Sequence, residues 1–241
     1  MNNYICIEGK KIELTEEQLR TLGIIGDSPD KPEEVSVEWF AQAVRNGEIR
    51  NHYTVGDTVI LSGYECKIIG IDHETLSSGE QRPNVTLMNM SLLPGMAMFE
   101  DDSGAAYKGW VDSDIREYLN GDYYDELAEE LTSYIETVEK VAHNSKGEKV
   151  TTSDDLFVLS ESELFGSAIY GGGYDGDKYE IFKTSDDRIM TDGTGSNRYY
   201  WTRSASRGNS TGFVIVHSGG LVHDATASNT TVRVAFGFTI A

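Results

Sequence analysis

Acid–base, nucleophilic or metal chemistry in this chain would have to come from five histidines, two cysteines, 40 Asp and Glu, and the serines around position 205. His52, His73, His143, His217 and His223 stand at no zinc-ligand spacing with one another or with Cys. His217 and His223 flank Ser218-Gly219-Gly220, which reads as a hairpin turn able to bring two imidazoles close across paired strands, though surface positions are the plainer expectation. Asp101-Asp102 and Asp175-Gly176-Asp177 offer oxygens to calcium, but neither fits the twelve-residue loop with its closing Glu, so both read as solvated turns. Ser204 and Ser206 lack the Gly-x-Ser-x-Gly elbow that exposes a nucleophile, and no pair of carboxylates can be singled out as acid and base. The expectation is a chain with no catalytic residue, no metal and no cofactor. Cys6 and Cys66 lie in apolar, strand-like stretches and read as buried free thiols.

The segment Tyr199-Tyr200-Trp201-Thr202-Arg203-Ser204 is different, because aromatics grouped with Arg either anchor a core or make a binding surface. Trp201 and Arg203 are expected in the framework, with the guanidinium on backbone carbonyls or a buried carboxylate. The small, polar, turn-prone stretches 206–211 and 223–231 are expected as exposed loops between strands.

Composition sharpens this contrast. Thr202 to Ala241 contains no Lys, Glu, Gln, Met or Trp, although these types make up 44 of the 201 residues before it, so roughly nine would be expected there. A Gly/Ser/Thr-rich β-segment disfavours long helix-forming side chains, which is one explanation. The other lies in the genetic code: an AAC or AAT codon randomised at its adenines encodes fifteen amino acids, and the missing five are these. The net charge of -20 argues against nucleic acid and anionic membranes as partners of the whole chain. The acids are unevenly placed, since from Gly195 onward Asp224 stands alone against Arg198, Arg203, Arg207 and Arg233. No signal peptide and no apolar run of membrane-spanning length is expected.

The elements that must position these residues follow from periodicity. Tyr4 to Leu14 reads as two short strands, and Thr15-Glu16-Glu17-Gln18 opens a helix through Leu22, a small ββα module. Ser36 caps a second helix with Val37, Phe40, Ala41 and Val44 on one face, closing an N-terminal module of residues 1–52. A main domain of residues 53–241 then begins with strands at Thr58–Leu61, Glu65–Ile71 and Val85–Met88. Ile115 and Leu119, then Leu127, Leu131 and Ile135, predict two abutting amphipathic helices. A strand at Leu156–Leu159 runs into the capping box Ser160-Glu161-Ser162-Glu163, and a glycine-rich loop spans 170–177. Val232, Val234, Phe236, Phe238 and Ile240 alternate with smaller or polar residues, as in a strand with one buried face. The class is α+β with a mixed or antiparallel sheet.

Lys108-Gly-Trp-Val-Asp-Ser-Asp-Ile-Arg-Glu-Tyr-Leu-Asn120, Thr151-Thr-Ser-Asp-Asp-Leu-Phe-Val-Leu-Ser160 with Glu163-Leu-Phe-Gly166, Tyr200-Trp-Thr-Arg-Ser204 and Val232-Arg-Val-Ala-Phe-Gly-Phe238 together resemble the DUF6273 domains of gut bacteria and their phages, over roughly residues 53 to 241. Several such domains look like C-type-lectin-fold targets of diversity-generating retroelements. The resemblance implies a C-type-lectin-like fold and a binding protein whose variable region, 199–241, displays interchangeable side chains. From side-chain type the variable positions are assigned to Ser206, Arg207, Asn209, Ser210, Thr211, His217, Leu221, His223, Asp224, Thr226, Asn229 and Thr230. The calcium-site motifs of sugar-binding lectins are absent, and Cys6 and Cys66 match no active-site pair of the related formylglycine-generating fold, so neither activity is carried over. The implied partners are a protein or cell-surface ligand, with virion proteins engaged through the N-terminal module, and the implied setting is a virion or the cytoplasm. Two rival readings stand beside this one: a non-diversified structural or adhesion domain of the same fold, and a hydrolase with a carboxylate site in the acidic body.

Overall fold

A computed structural model describes residues 4–7, 10–13 and 34–241, and the chain divides into two compact units, 1–33 and 34–241. In the first, β1 (Tyr4–Ile7) and β2 (Lys10–Glu13) pair antiparallel with Tyr4 opposite Glu13, as the sequence predicts. The helix expected over Thr15–Leu22 and the side chain of Cys6 lie outside the described residues.

The second unit starts at Glu34, so residues 34–52 fall within it instead of with an N-terminal module ending at 52. The reason is the apolar face of α1 (Val37–Arg45): Val37, Phe40, Ala41 and Val44 are buried in the same core as Val59, Leu61 and Leu131. Ser36 caps this helix as expected, its hydroxyl accepting the Trp39 N–H at 3.4 Å.

Six strands form the main sheet, ordered β3 (Glu34–Val35), β4 (Thr58–Leu61), β5 (Tyr64–Ile71), β6 (Val85–Asn89), β13 (Phe236–Ile240) and β9 (Leu156–Val158). β3 is parallel to β4 and the other pairs are antiparallel. The β4–β5 hairpin turns on Ser62-Gly63, both at positive φ (47° and 80°), the backbone that suits the twist of a two-residue loop. β13 sits between β6 and β9, with Phe238 opposite Leu87 on one side and Leu156 on the other. All five of its residues are buried, so the alternation in 232–240 does not mark a solvent-facing side: Gly237 and Thr239 are as enclosed as the phenylalanines. Cys66, in β5, is a buried free thiol, and burial pushes it up to about 12.

Two smaller sheets complete the unit. β7 (Val138–His143) pairs with β8 (Lys149–Asp154), and β10 (Tyr200–Ala205), β11 (Gly212–Val216) and β12 (Val222–Thr226) form an antiparallel sheet with β12 at its edge. The helices are short: α2 (Ala105–Lys108), α3 (Asp114–Leu119), α4 (Asp122–Glu126), α5 (Glu129–Thr132) and α6 (Glu161–Phe165). The helix expected through Leu127, Leu131 and Ile135 is broken. Leu127 adopts extended backbone after α4, Leu131 enters the core from α5, and Ile135 bridges to Ile240. The class is α+β, and no helix among the described residues is long and apolar enough to cross a membrane.

Candidate ligand-binding surface and the clamp beneath it

Arg203 leaves β10 into a site that excludes water, and each of its five N–H groups finds an acceptor. Nε donates to the Val141 carbonyl at 2.9 Å; Nη1 donates to the Val158 carbonyl at 2.9 Å and to Glu163 Oε2 at 2.6 Å. Nη2 donates to Glu163 Oε1 at 2.8 Å and to the Asp175 carbonyl at 2.7 Å. One side chain therefore ties β10 to β7, β9, α6 and the glycine-rich loop. Glu163 completes the expected capping box, its Oε2 also accepting the Ser160 N–H at 2.8 Å. Burial alone would raise this carboxyl, but Arg203 and Lys140 outweigh it and hold Glu163 down at about 2. Lys140 Nζ is itself buried, 2.6 Å from Glu74 Oε2 and 3.7 Å from the centre of the Phe157 ring, while the Tyr179 hydroxyl donates to Glu74.

Asp175 departs from expectation. It is fully buried, not part of a solvated turn: Oδ1 lies 2.6 Å from His143 Nδ1, and Oδ2 accepts from the Ser204 hydroxyl at 2.7 Å. Its pKa is raised because burial outweighs those contacts and Arg203. Glu161 is likewise raised by burial, against the pull of the Tyr170 and Gly171 N–H groups its oxygens accept at 2.9 and 2.8 Å. Glu74, Glu163 and Asp175 border a cleft of about 190 Å³, and the oxygens of all three are already engaged by the protein. Ser204 is buried and spends its proton on Asp175, the arrangement of a brace. A wider groove of about 530 Å³ is lined by residues of the single segment 72–84.

The motifs carrying the family resemblance converge on the same framework. Asp154 accepts from Trp110 Nε1 at 2.8 Å, Arg116 Nε at 2.6 Å and the Thr152 hydroxyl at 2.8 Å. Asn120 bonds the Asp155 and Leu156 backbone, and Trp201 Nε1 donates to the Met96 carbonyl at 2.7 Å. The framework roles expected of Trp201 and Arg203 hold.

Above this framework lie the twelve assigned positions, and eleven of them keep solvent access. Ser206 does not: it is buried, bridged to Gly171, and its hydroxyl has no partner among the described residues. Arg207, Asn209, Ser210 and Thr211 form a loop, as expected, whereas His223, Asp224 and Thr226 belong to β12 and not to a loop. Asn229 and Thr230 follow in the connection to Val232. His217 and Leu221 close the β11–β12 turn, the His217 N–H donating to the Leu221 carbonyl at 2.7 Å. No bond joins the two histidines. His217 Nε2 is 2.9 Å from the Tyr199 hydroxyl, and His223 Nδ1 is 2.8 Å from the Asp224 carbonyl.

Loops from outside the tail hold this surface in place. Arg207 N–H donates to the Tyr170 carbonyl, Gly208 N–H to Ser145, Ser145 N–H to Ala106, and Ala106 N–H to Ser210, at 2.8 to 3.1 Å. Ala227 accepts from Met98 at 2.7 Å and Phe99 at 3.2 Å. These loops bring Tyr107, Ile169 and Tyr170, all exposed, alongside Arg207 and Ser210. Sequence reading missed them; the available signal was a large apolar side chain beside glycines, where no strand or helix pattern buries it. Among the described residues no group of three or more His, Cys, Asp or Glu is placed to hold a metal.

An α+β domain braced by a buried Arg–Glu clamp is thus the class of molecule defined by fold and site. The family profile for a domain of unknown function (DUF6273) matches residues 84–239, more than half of the chain, and the protein belongs to that family. No curated protein and no solved structure matches it.

Proposed function

We propose that this protein is a ligand-binding protein, encoded by a phage or prophage, whose recognition surface is the 206–211 loop, the β11–β12 hairpin and the 226–230 connection, diversified by a retroelement on a C-type-lectin-like framework. One observation carries the reading. Of the forty residues in the tail, 21 are buried, where unpaired Lys, Glu and Gln are disfavoured under any history. The remaining 19 have solvent access, and at the frequency of the preceding chain about four of them would be Lys, Glu, Gln, Met or Trp; none is. Burial and strand propensity do not account for that half.

The geometry suits such a role. Variation is affordable where side chains face water and the backbone is held by other segments. The flanking Tyr107, Tyr170 and Arg207 are residue types that anchor protein interfaces, which favours a protein or cell-surface partner.

The test is to sequence the 3′ end of the gene deeply in a source population and place each substitution on the structure. Changes should fall at adenine-templated codons for the eleven accessible positions, beside a near-identical repeat in the flanking DNA. Changes spread equally over Tyr200–Ala205, Gly212–Val216 and Phe236–Ile240 would sink the proposal, and a uniform tail without a repeat would leave a static adhesion domain.

A further inference from the structure

Trp39, Gln42 and Ala43 of α1 and Asn46, which caps its C-terminus, lie at i, i+3, i+4 and i+7, a stripe turned away from the face made by Phe40 and Val44. With Glu48 and His52 from the turn after the helix, they line a cleft of about 170 Å³. Ala43 is buried and forms its floor, while Trp39 is 41% exposed. The His52 ring meets the Trp39 ring edge-on, with centroids 5.1 Å apart at 73°, which fixes the indole as a wall. Gln42 and His52 make no side-chain hydrogen bond among the described residues, and Asn46 has only a 3.5 Å contact with Glu48. The cleft therefore combines one flat apolar wall with amide, carboxylate and imidazole groups free to bond a ligand. It lies outside residues 84–239 and outside the tail.

We infer that this cleft is a calcium-independent binding site for a neutral pyranose sugar. The class follows from the lining. A sugar ring has an apolar C–H face that packs on an indole, and a rim of hydroxyls that both donate and accept, which is what Gln42, Asn46 and Glu48 complement. A fatty or aromatic ligand would find Trp39 and Ala43 but also four polar side chains, Gln42, Asn46, Glu48 and His52. A phosphate or other anion would face the Glu48 carboxylate. A free monosaccharide, with few contacts, should bind with a dissociation constant of about millimolar.

The chain supplies its own reporter, because Trp110 and Trp201 are 1% exposed and Trp39 alone is open to a quencher. Acrylamide quenching of the full-length chain is measured with D-glucose, D-galactose, D-mannose and N-acetyl-D-glucosamine, against glycerol at equal concentration. At least one sugar should protect Trp39 where glycerol does not, and chelation of divalent ions should leave the protection intact. Saturation-transfer NMR with the same sugar should then lose its signal in Trp39→Ala and weaken about tenfold in Asn46→Ala. Both variants should keep the parent's circular dichroism, since the buried face of α1 is untouched. Protection by no sugar, protection abolished by chelation, or transfer that survives Trp39→Ala would each overturn the assignment. None of these results depends on the tail, which the gene-sequencing experiment tests separately.

Discussion

Arg203 draws together four chain segments with a single guanidinium, so its loss should be felt well beyond β10. Arg203→Met would leave Glu163 buried beside Lys140 alone and strip partners from three backbone carbonyls, at a cost of about 3–5 kcal/mol, measurable by urea unfolding. The pH dependence follows from Glu163. Its folded pKa lies below the unfolded value, so the stability it contributes is complete above the ordinary carboxylate range near 4.3 and is lost as pH falls toward about 2. Glu163→Gln should therefore flatten the stability profile between those limits; an unchanged slope would mean that the carboxylate is not held by Arg203. Ser206→Ala should be neutral or slightly stabilising, because it removes a buried hydroxyl with no partner, and a loss of more than about 1 kcal/mol would contradict that. Some of this was legible residue by residue. An Arg set among aromatics announces a framework, and Ser160 to Glu163 announces a cap. Asp175 was not legible, because Asp-Gly-Asp looks like any turn until His143, Ser162 and Ser204 arrive from three other elements.

At the scale of elements, the glycine-rich loop earns its composition by close approach. A Cβ on Gly172 would stand 2.2 Å from the Asn144 carbonyl oxygen, and one on Gly173 would stand 2.4 Å from the His143 ring. Gly172→Ala should lower stability by about 1–3 kcal/mol and also loosen the 206–211 loop, since Tyr170 and Ala205 bond across this junction to Arg207 and Gly172. Amide hydrogen exchange at Arg207 and Gly208 would reveal the loosening. By contrast, substitutions at His223 or Thr226, on the exposed edge of β12, should shift stability by no more than about 0.5 kcal/mol. Strands and caps were readable here because period and capping chemistry are local. The break at Leu127 and the placement of 223–226 in a strand were not, because the first is set by core positions that two separate turns can fill and the second by pairing with β11.

For the molecule as a whole, the sequence conveys class and charge but not layout. An acidic chain with a mildly basic tail predicts solubility of the body and an end free of its self-repulsion. Sheet order was hidden, since nothing local says that β13 lies between β6 and β9. That placement has a kinetic meaning. The β6–β13–β9 end of the main sheet is assembled from partners about 150 and 80 positions apart in the chain, so its closure must wait for long loops to be searched. Folding should be slow for a domain of this size, and its rate should respond to changes in β13 far more than to changes in the hairpin, whose variants would act mainly by hastening unfolding. A binding face that altered the unfolding rate alone could be rewritten repeatedly without altering how the chain finds its fold.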